Sequence, residues 1–384
     1  MTDQTTTGPS LATRMAAYAA RLRERGAIRT SDVQRAFATV PRHLFLPGGY
    51  YTSGRYVPVP DAPGPELLAH IYSDTALMTH VPASQDAAGR YSSTSQPRVI
   101  AAMLEALHLA PGMRVLEVGA GTGYNASLIA AITGTEVVTI DVSPVIVTEA
   151  ARAAKRAGQK NVTALPADGY LGHPAKGPYD RIVVTCGVTG ISPHWLDQLT
   201  EDGLIVAPVA HGGFHPTLAV TRDGSQLVGR GVASSDFMSA AGPLYVWPAG
   251  QTPALTQPLE PRPLTTRENA GPALEPEAYY DLWFRLGTRT GRTTRARIQG
   301  LDPAQGMACL HTPRRGAAWI QRTGHLHHTG DQAIADDLQT LVDNWVELGR
   351  PGITDHYTVL ERAREDVPLH YPAGWRLHED YRRD

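Results

Sequence analysis

The sequence predicts an α/β fold with a parallel, doubly wound sheet, a helical region before the sheet and a small mixed α/β domain after it. Two observations carry this prediction. Between residues 96 and 209, short apolar runs typical of buried strands alternate with segments of helical periodicity, as in parallel sheets. One of these strands also runs directly into a glycine-rich turn and a helix, the connection at which such folds carry their ligand sites.

The first elements of the chain are predicted to be helical. Between Leu11 and Phe37 apolar residues recur at helical spacing, with a start signal at Thr30, so we predict two short helices. The stretch from Pro41 to about Ala69 is rich in proline and glycine. We predict that it is extended and loop-like, as segments that cover a site often are.

The sheet region is predicted to contain strands and helices in alternation. Continuous apolar strands such as residues 182–184 fit the buried interior of a parallel sheet. The predicted helices are Pro97–Leu107, Tyr124–Ile132, Pro144–Ala157 and Pro193–Gln198, and the predicted strands are Met113–Val118, Glu136–Asp141, Val162–Leu165, Arg181–Thr185 and Gly203–Val209.

A domain boundary is expected because the chain has 384 residues, more than one hydrophobic core usually organises. Seven prolines fall among the 29 residues from Pro248 to Pro276, too many for a helix or a central strand. Beyond them, strands are predicted at Ala278–Arg289, Met307–His311 and Ala317–Gln321, and an amphipathic helix at Gln332–Leu348. The predicted domains are a helical N-terminal region and lid (1–80), a Rossmann-like domain (81–245), a proline-rich linker (246–277) and an accessory domain (278–384).

Composition narrows the function classes. Hydrophobic residues make up 42% and charged residues 19%, which is typical of a globular protein. The net charge is −2, so overall charge does not hold the protein to nucleic acid, and nucleic acid is not an expected partner. Residues 1–10 lack a signal pattern, and no stretch reaches the ~18 apolar residues of a membrane span. A cytoplasmic protein without a membrane partner is therefore predicted.

Neither the cysteines nor the histidine run suggests a metal site, and none is predicted. Cys186 and Cys309 have no zinc-type spacing and are interpreted as buried small side chains. No carboxylate or cysteine shares the run of His325, His327 and His328, which is interpreted as an exposed polar strand end.

The strongest local signal is the glycine-rich turn. A predicted strand containing Glu117 runs into Gly119, Gly121 and Gly123, and a helix follows at Tyr124. A turn without side chains lets a ligand lie against the backbone and the helix N-terminus. Dinucleotide-binding enzymes use a related glycine pattern, so the turn alone is weak. The E-x-G-x-G-x-G spacing resembles motif one of methyltransferases that bind S-adenosylmethionine (SAM).

Two carboxylates follow the turn in the order that a SAM site requires. Asp141 ends the second strand, where its side chain would accept hydrogen bonds from a ribose diol. Asp168 and Gly169 follow the third strand, where a carboxylate could accept from an adenine amino group. The alternative is that the glycines serve only a tight turn and each Asp only a helix cap.

From Val33 to about Ala240 the sequence resembles the protein-L-isoaspartate O-methyltransferase family. Its most specific matches are Val40–Pro47 (VPRHLFLP) and Ser95-Gln96-Pro97. The other matches are Leu116–Tyr124, Ala167–Gly169 and Tyr179–Thr185. The resemblance implies SAM as cofactor, held by Glu117, Gly119, Gly121, Gly123, Asp141, Asp168, Gly169 and Thr185.

Ser95 is the predicted catalytic residue. A carboxylate substrate is already an anion at pH 7, so it needs orientation and not a general base. The resemblance implies that the Ser95 hydroxyl orients it, although a hydroxyl before a helix beginning at Pro97 is also an ordinary N-cap. The family usually carries Gly-x-x-Ile-Ser before the proline, whereas residues 90–95 here are RYSSTS. We therefore expect an altered substrate loop.

The predicted function is SAM-dependent O-methylation of an Asp or isoAsp carboxylate in a peptide or protein. The accessory domain at 278–384 is expected to recruit the substrate. As a C-terminal extension it resembles that of actinobacterial homologues that modify ribosomally made peptides such as lanthipeptides, in which an Asp methyl ester cyclises to aspartimide and opens to isoaspartate. General isoaspartate repair is one alternative, and a non-catalytic peptide-binding protein is another. Eight arginines against one acid between Arg285 and Arg322 would suit an acidic peptide, nucleic acid or merely solvent.

Overall fold

A computed structural model of the protein describes residues 9–52, 54–80, 92–247, 255, 257–363 and 368–379. They pack into two compact units, each described below by itself. The first unit runs to residue 186 and includes 192–206 and 238–241, and the second contains 187–191, 207–237 and the chain from 242 onward. Packing does not test whether a segment folds alone, so the predicted domain boundaries remain predictions. No helix in the described ranges is long and apolar enough to cross a membrane.

The first unit begins with the two predicted helices, which the structure confirms. They are α1 (Leu11–Glu24) and α2 (Ser31–Thr39). Ser10 caps α1 and Thr30 caps α2, each through a side-chain oxygen that accepts a backbone N–H. Tyr18 on α1 packs against Phe37 on α2, which joins the two helices through buried aromatic side chains.

The stretch predicted to be loop-like is more ordered than the sequence suggested. After a 3₁₀ turn at Arg42–Phe45, the chain forms an antiparallel hairpin and a short helix. Tyrosines favour strands, and Pro58 is tolerated because it lies on an edge strand. The elements are β1 (Gly48–Thr52), β2 (Arg55–Val59), α3 (Pro65–Ile71), β3 (Leu77–His80) and β4 (Ser92–Thr94), and the sheet order is β2-β1-β3-β4.

The predicted parallel sheet is confirmed, with most element ends within two residues of the prediction. Its order in the first unit is β9-β8-β5-β6-β7, so the chain reverses direction across the sheet between β5 and β8. A crevice at such a point, outside the carboxyl ends of the strands, is where ligands bind. The helices are α4 (Pro97–Ala106), α5 (Tyr124–Thr133), α6 (Pro144–Arg156) and α7 (Pro193–Asp197), and the strands are β5 (Val115–Val118), β6 (Val137–Asp141), β7 (Val162–Pro166), β8 (Tyr179–Val184) and β9 (Leu199–Pro208).

The second unit contains two groups of antiparallel strands. The first group has the order β18-β17-β11-β10, and the second group, called here the second sheet, has the order β12-β16-β15-β14-β13. Helix α8 (Pro276–Arg289) and helix α9 (Gln332–Glu347) share one apolar core with strands of the second sheet. The strands are β10 (Thr217–Asp223), β11 (Gln226–Ala233), β12 (Thr265–Arg267), β13 (Thr293–Arg295), β14 (Ala308–Thr312), β15 (Gly316–Ile320), β16 (Leu326–Gly330), β17 (His356–Arg362) and β18 (His370–Leu377).

The predicted strand at Ala278–Arg289 is wrong, because these residues form α8. Their aromatic side chains favour strands in isolation. Pro276 in the first turn starts a helix, however, and Tyr279, Leu282, Trp283 and Leu286 fall at helical spacing on its buried face. The other two predicted strands and the predicted helix of this region are confirmed as β14, β15 and α9.

The histidine run and the arginine run are less exposed and less charged than the sequence suggested. His328 is buried in β16, so the exposed strand end is wrong for this residue. Arg285 is also buried. Three other arginines of the run pair with aspartates that lie outside it in the sequence, which lowers the local positive charge. These pairs are Arg292–Asp337, Arg295–Asp236 and Arg315–Asp331.

Candidate active site

The glycine-rich turn links β5 to α5 through backbone conformations that require glycine. Gly119 has φ = 102°, and a Cβ there would lie 2.6 Å from the Thr185 hydroxyl. Gly123 has φ = 81°, and a Cβ there would lie 2.9 Å from the Ala150 carbonyl oxygen. No side chain caps α5. The turn therefore presents bare backbone and a helix N-terminus, which suits close approach of a ligand.

The buried Glu117 side chain supports this turn through two hydrogen bonds. It is 1% exposed, and one carboxyl oxygen accepts from Asn125 Nδ2 at 2.8 Å while the other accepts from the Thr139 hydroxyl at 2.5 Å. Burial raises the pKa of Glu117 to about 7, although both hydrogen bonds oppose the rise. The carboxyl thus ties the end of β5 to α5 and β6. Direct contact between Glu117 and a cofactor stays a prediction.

Thr185 closes the other side of the turn. Its backbone N–H donates to the Val118 carbonyl at 2.9 Å, and its hydroxyl donates to the Gly119 carbonyl at 2.5 Å. The next residue, Cys186, is a free cysteine. Burial raises the pKa of its thiol to about 12, and the Asp141 carboxylate adds to the rise. A protonated thiol is a poor nucleophile. Cys186 is only partly buried, however, and Cys309 is fully buried, so the interpretation of both as buried small side chains is confirmed for Cys309 and wrong for Cys186.

Asp141 lies at the carboxyl end of β6, beside the turn. One of its carboxyl oxygens accepts the Ser143 N–H at 3.0 Å. Burial raises its pKa, and backbone N–H groups of Ser143, Gly121 and Ala120 counteract this. Val142 follows with about half of its surface exposed, at 51%. A carboxylate next to an exposed aliphatic side chain offers acceptors for hydroxyl groups and an apolar contact for a ring.

Asp168 and Gly169 lie on the loop after β7, next to the end of β6 that carries Asp141. The Ala167 N–H donates to the Asp141 carbonyl at 3.0 Å, which brings the loop after β7 to the end of β6. Asp168 is exposed and accepts the Tyr170 N–H at 2.9 Å. Gly169 is buried, and its carbonyl accepts from the Trp195 indole at 2.8 Å. Asp168 is therefore exposed on the loop that follows β7, next to the end of β6.

Ser95 lies between β4 and α4, close to the turn. The carbonyl of Ser93, two residues before it, lies 3.4 Å from the position that a Cβ on Gly121 would occupy. Within the described part of the chain, the Ser95 hydroxyl makes no hydrogen bond. The N-cap residue of α4 is Gln96, whose side chain does not cap the helix. The alternative interpretation of Ser95 as an N-cap is therefore wrong.

Asp74 performs the capping that Ser95 does not. Its Oδ1 atom accepts the Arg98 N–H in the first turn of α4 at 2.9 Å, and its Oδ2 atom accepts from Gln96 Nε2 at 3.3 Å. Asp74 precedes Arg98 by 24 positions, so no local capping pattern indicates it. The start of α4 therefore depends on a turn elsewhere in the unit, and the Ser95 hydroxyl takes no part in the cap.

Arg42 is a second residue whose role the sequence did not reveal. It lies in the VPRHLFLP segment and is fully buried, at 0% exposure. Its guanidinium donates to the Ser95 carbonyl at 3.1 Å and to the Thr94 hydroxyl at 3.3 Å. The motif was visible in the sequence as a family match. The partners, more than 50 positions away, were not.

Among the described residues, no group of three or more His, Cys, Asp or Glu side chains is arranged to hold a metal ion. His43 is partly buried, donates to or accepts from the Tyr72 hydroxyl at 2.9 Å, and has a pKa lowered by burial and by Arg156. The polar groups around the turn are thus carboxylates, hydroxyls and backbone N–H groups.

Comparison with known proteins identifies relatives of the N-terminal 60% of the chain. Residues 14–242 match the model of the protein-L-isoaspartate(D-aspartate) O-methyltransferase family. The protein-L-isoaspartate O-methyltransferase of Pyrococcus horikoshii is 39% identical over 194 residues, which cover 50% of this chain and 76% of that relative. The enzyme of the same name from Methanoregula boonei is 32% identical over 220 residues, which cover 57% of this chain and 88% of that relative.

A solved structure named protein-L-isoaspartate O-methyltransferase extends the likeness in fold. It aligns with 94% of this chain and 98% of its own, with a TM-score of 0.53 and 23% identity. At this identity the alignment bears on fold alone. It shows that residues beyond the family match also have a counterpart in a solved protein.

Proposed function

The chain belongs to the protein-L-isoaspartate(D-aspartate) O-methyltransferase family and is a SAM-dependent carboxyl O-methyltransferase, and from this premise we propose that Ser95 orients the carboxylate it methylates. Membership of this enzyme family argues against the alternative of a non-catalytic peptide-binding protein. The observation that carries the proposal is the Ser95 hydroxyl, which makes no hydrogen bond within the described residues and lies on a backbone held beside the glycine turn.

The residues around the turn fit SAM. The turn of Gly119, Gly121 and Gly123 presents backbone at the start of α5 to a ligand, and the Asp141 carboxylate provides acceptors for ribose hydroxyls. Glycine is required at Gly119 and Gly123 because a Cβ there would clash with Thr185 or Ala150. Exposed Val142 would pack on the adenine, and Asp168 would accept from its amino group. Glu117 and Thr185 would hold the turn in shape through the hydrogen bonds described above. When bound, SAM supplies an electrophilic methyl group on a sulfonium.

The chain's own task is to position the substrate oxygen. An Asp or isoAsp side-chain carboxylate is ionised at pH 7 and needs no general base. The Ser95 hydroxyl donates one hydrogen bond to this carboxylate and leaves the other oxygen free to attack the methyl carbon. Holding that oxygen in line at roughly 3 Å, away from water, supplies the rate gain. No nucleophilic side chain is required, and the protonated Cys186 thiol provides none.

Ser95→Ala tests this role. We expect turnover to fall by at least about tenfold while SAM affinity stays within about twofold, because only substrate orientation is lost. Ser93→Ala, which shortens a neighbouring side chain of the same segment, is the matched control. Turnover would be measured by methyl transfer from labelled SAM and SAM affinity by calorimetry. Wild-type turnover in Ser95→Ala would contradict the proposed role.

The finer proposal concerns the substrate, which we infer is an unmodified Asp in a ribosomally made peptide. It is supported by the segment before Ser95, which departs from the family's Gly-x-x-Ile-Ser pattern. Arg90 and Tyr91 of that segment lie outside the described residues. Thr94 stands where the pattern has Ile, and its hydroxyl accepts from Arg42. A dedicated peptide substrate would favour such a specialised substrate loop.

General isoaspartate repair is the second candidate. The names of the relatives favour it, and the solved structure that spans 94% of this chain bears the same name. The presence of a C-terminal extension therefore does not by itself distinguish a peptide-modifying enzyme from a repair enzyme. A repair enzyme would methylate many isoaspartyl peptides and leave ordinary Asp untouched.

The product distinguishes the two candidates. On an ordinary Asp, the methyl ester makes the side-chain carbonyl a better electrophile. The following backbone nitrogen attacks it, loses its proton and expels methanol, which closes a five-membered aspartimide. Mass spectrometry of a candidate precursor peptide would then show the mass of one added methylene, followed by a product one water lighter than the starting peptide. Methylation of generic isoaspartyl peptides, with none on any Asp-containing precursor, would favour repair instead.

A further inference from the structure

We propose that Arg42 is a positioning residue for carboxyl methylation, which holds the backbone segment that carries Ser95. The inference rests on the proposed role of Ser95 and adds a residue that never touches the substrate. It is carried by the geometry of the Arg42 guanidinium, which joins two loops of the first unit.

The guanidinium distributes its donors between these loops. On one side, Nη1 donates to the Ile71 carbonyl at 2.7 Å and the Ser73 carbonyl at 3.0 Å, and Nη2 donates to the Thr75 carbonyl at 2.7 Å. On the other side, Nη2 reaches the Ser95 carbonyl at 3.1 Å and the Thr94 carbonyl at 3.4 Å, and Nε reaches the Thr94 hydroxyl at 3.3 Å. One side chain thus fixes the distance between the 71–75 turn and the Ser95 backbone.

The charge of Arg42 is stabilised without an acidic partner. It is fully buried, and it forms no ion pair with a carboxylate in the described ranges. A buried cation is costly unless each donor finds an acceptor, and here carbonyl dipoles and one hydroxyl provide them. Only a planar fork of five donors can serve so many acceptors at once. Lysine, a single ammonium point, cannot span both loops.

The turn that Arg42 holds also fixes the residues that follow Ser95. The carbonyls of Ser73 and Thr75 flank Asp74, which binds Gln96 and the Arg98 N–H. Ser95 therefore lies between two anchored neighbours. Arg42 fixes the backbone at and before it, and Asp74 fixes the residues after it. Without Arg42, the backbone on both sides of Ser95 is no longer held in place. The Ser95 hydroxyl then loses its orientation toward the substrate.

Thr94 adds a contact that the family pattern does not provide. Its buried hydroxyl accepts from Arg42 Nε, whereas the pattern has Ile at this position. Thr94→Val removes this single acceptor and keeps the shape of the side chain. If each hydrogen bond of Arg42 contributes part of its effect on turnover, Thr94→Val should lower turnover less than Arg42→Lys does.

The principal test is a double-mutant cycle on turnover with Arg42→Lys and Ser95→Ala. Alone, Arg42→Lys should lower kcat by at least about tenfold and leave SAM affinity within about twofold. In the Ser95→Ala background, Arg42→Lys should lower kcat by less than about threefold, because the hydroxyl it positions is already absent. Arg21→Lys is the matched control, since Arg21 donates to the Tyr72 carbonyl of the same turn but not to the Ser95 segment.

The outcomes separate this inference from the proposed function. If Ser95→Ala alone keeps wild-type turnover, the proposed role of Ser95 fails, and this inference fails with it. If Ser95→Ala loses turnover but the two losses multiply, Ser95 keeps its role and Arg42 does not act through it. Should Arg42→Lys lose SAM binding through misfolding, Asp74→Asn replaces it in the same cycle, with the same smaller loss expected in the Ser95→Ala background.

Discussion

Glu117→Gln tests how the buried carboxyl beneath the glycine turn couples stability to pH. In the folded protein, burial raises the Glu117 pKa from 4.5 to about 7. In the unfolded chain the same group regains its ordinary value. The folded state therefore binds the proton more tightly than the unfolded state. The stabilising contribution is full below about pH 4.5 and is lost as the pH rises through about 7.

The size of the effect follows from the two pKa values. The difference between pKa values of 4.5 and about 7 means that the Glu117 carboxyl contributes about 3 kcal/mol to the free energy of unfolding at low pH. Glutamine has similar shape and cannot ionise, and its amide oxygen still accepts from Asn125. Relative to Glu117→Gln, the wild-type protein should thus lose up to about 3 kcal/mol between pH 5 and pH 8.

Amide hydrogen exchange of peptides covering residues 115–133 measures this locally, after correction for the intrinsic exchange rate at each pH. Glu136→Gln is the matched control, because Thr163 and Lys176 lower the pKa of exposed Glu136 and its contribution has the opposite pH dependence. Parallel pH dependences in the wild-type protein and in Glu117→Gln would refute the reasoning. They would mean that Glu117 is ionised at little cost.

Three other variants test the site and substrate recruitment. Asp141→Ala should weaken SAM binding by at least about tenfold, through loss of a hydrogen bond to a charged group of ~1.5–3 kcal/mol; unchanged affinity by calorimetry would mean that the ribose lies elsewhere. Gly119→Ala should lower both the melting temperature and SAM affinity, because a Cβ at φ = 102° would lie 2.6 Å from the Thr185 hydroxyl; a wild-type thermal scan would contradict this. Replacing the exposed arginines Arg289, Arg297 and Arg314 by Ser should raise KM for an acidic peptide substrate at low salt and leave SAM affinity unchanged; a KM that is equal in both proteins would exclude this surface from recruitment.

The parallel sheet was predictable because its signals are local. Strands such as β5 and β8 are short apolar runs, and α4 and α6 each begin with a proline in the first turn. The glycine turn, Asp141 and Asp168 then follow from the strand ends, because parallel strands bring their carboxyl ends to one edge. Each of these predictions depends on fewer than about ten neighbouring residues.

The second unit was less predictable because its sheets form between distant segments. Strand β11 pairs with β17 more than 100 positions later, and no local pattern encodes that pairing. The strand predicted in place of helix α8 is wrong because the aromatic side chains there suit both a strand and the buried face of a helix. The same limit applies to Arg42 and Asp74 in the candidate site. Their partners lie 22 to 53 positions away, so only folding brings them together.

The cap that Asp74 places on α4 has a consequence for how the segment around Ser95 tolerates substitution. Asp74 holds the first turn of α4, and Arg42 holds the Ser95 backbone just before it. The start of α4 is thus set by two side chains that lie far from it in the sequence. Substitutions of the Ser95 side chain should therefore leave α4 in place, because this side chain takes no part in the cap.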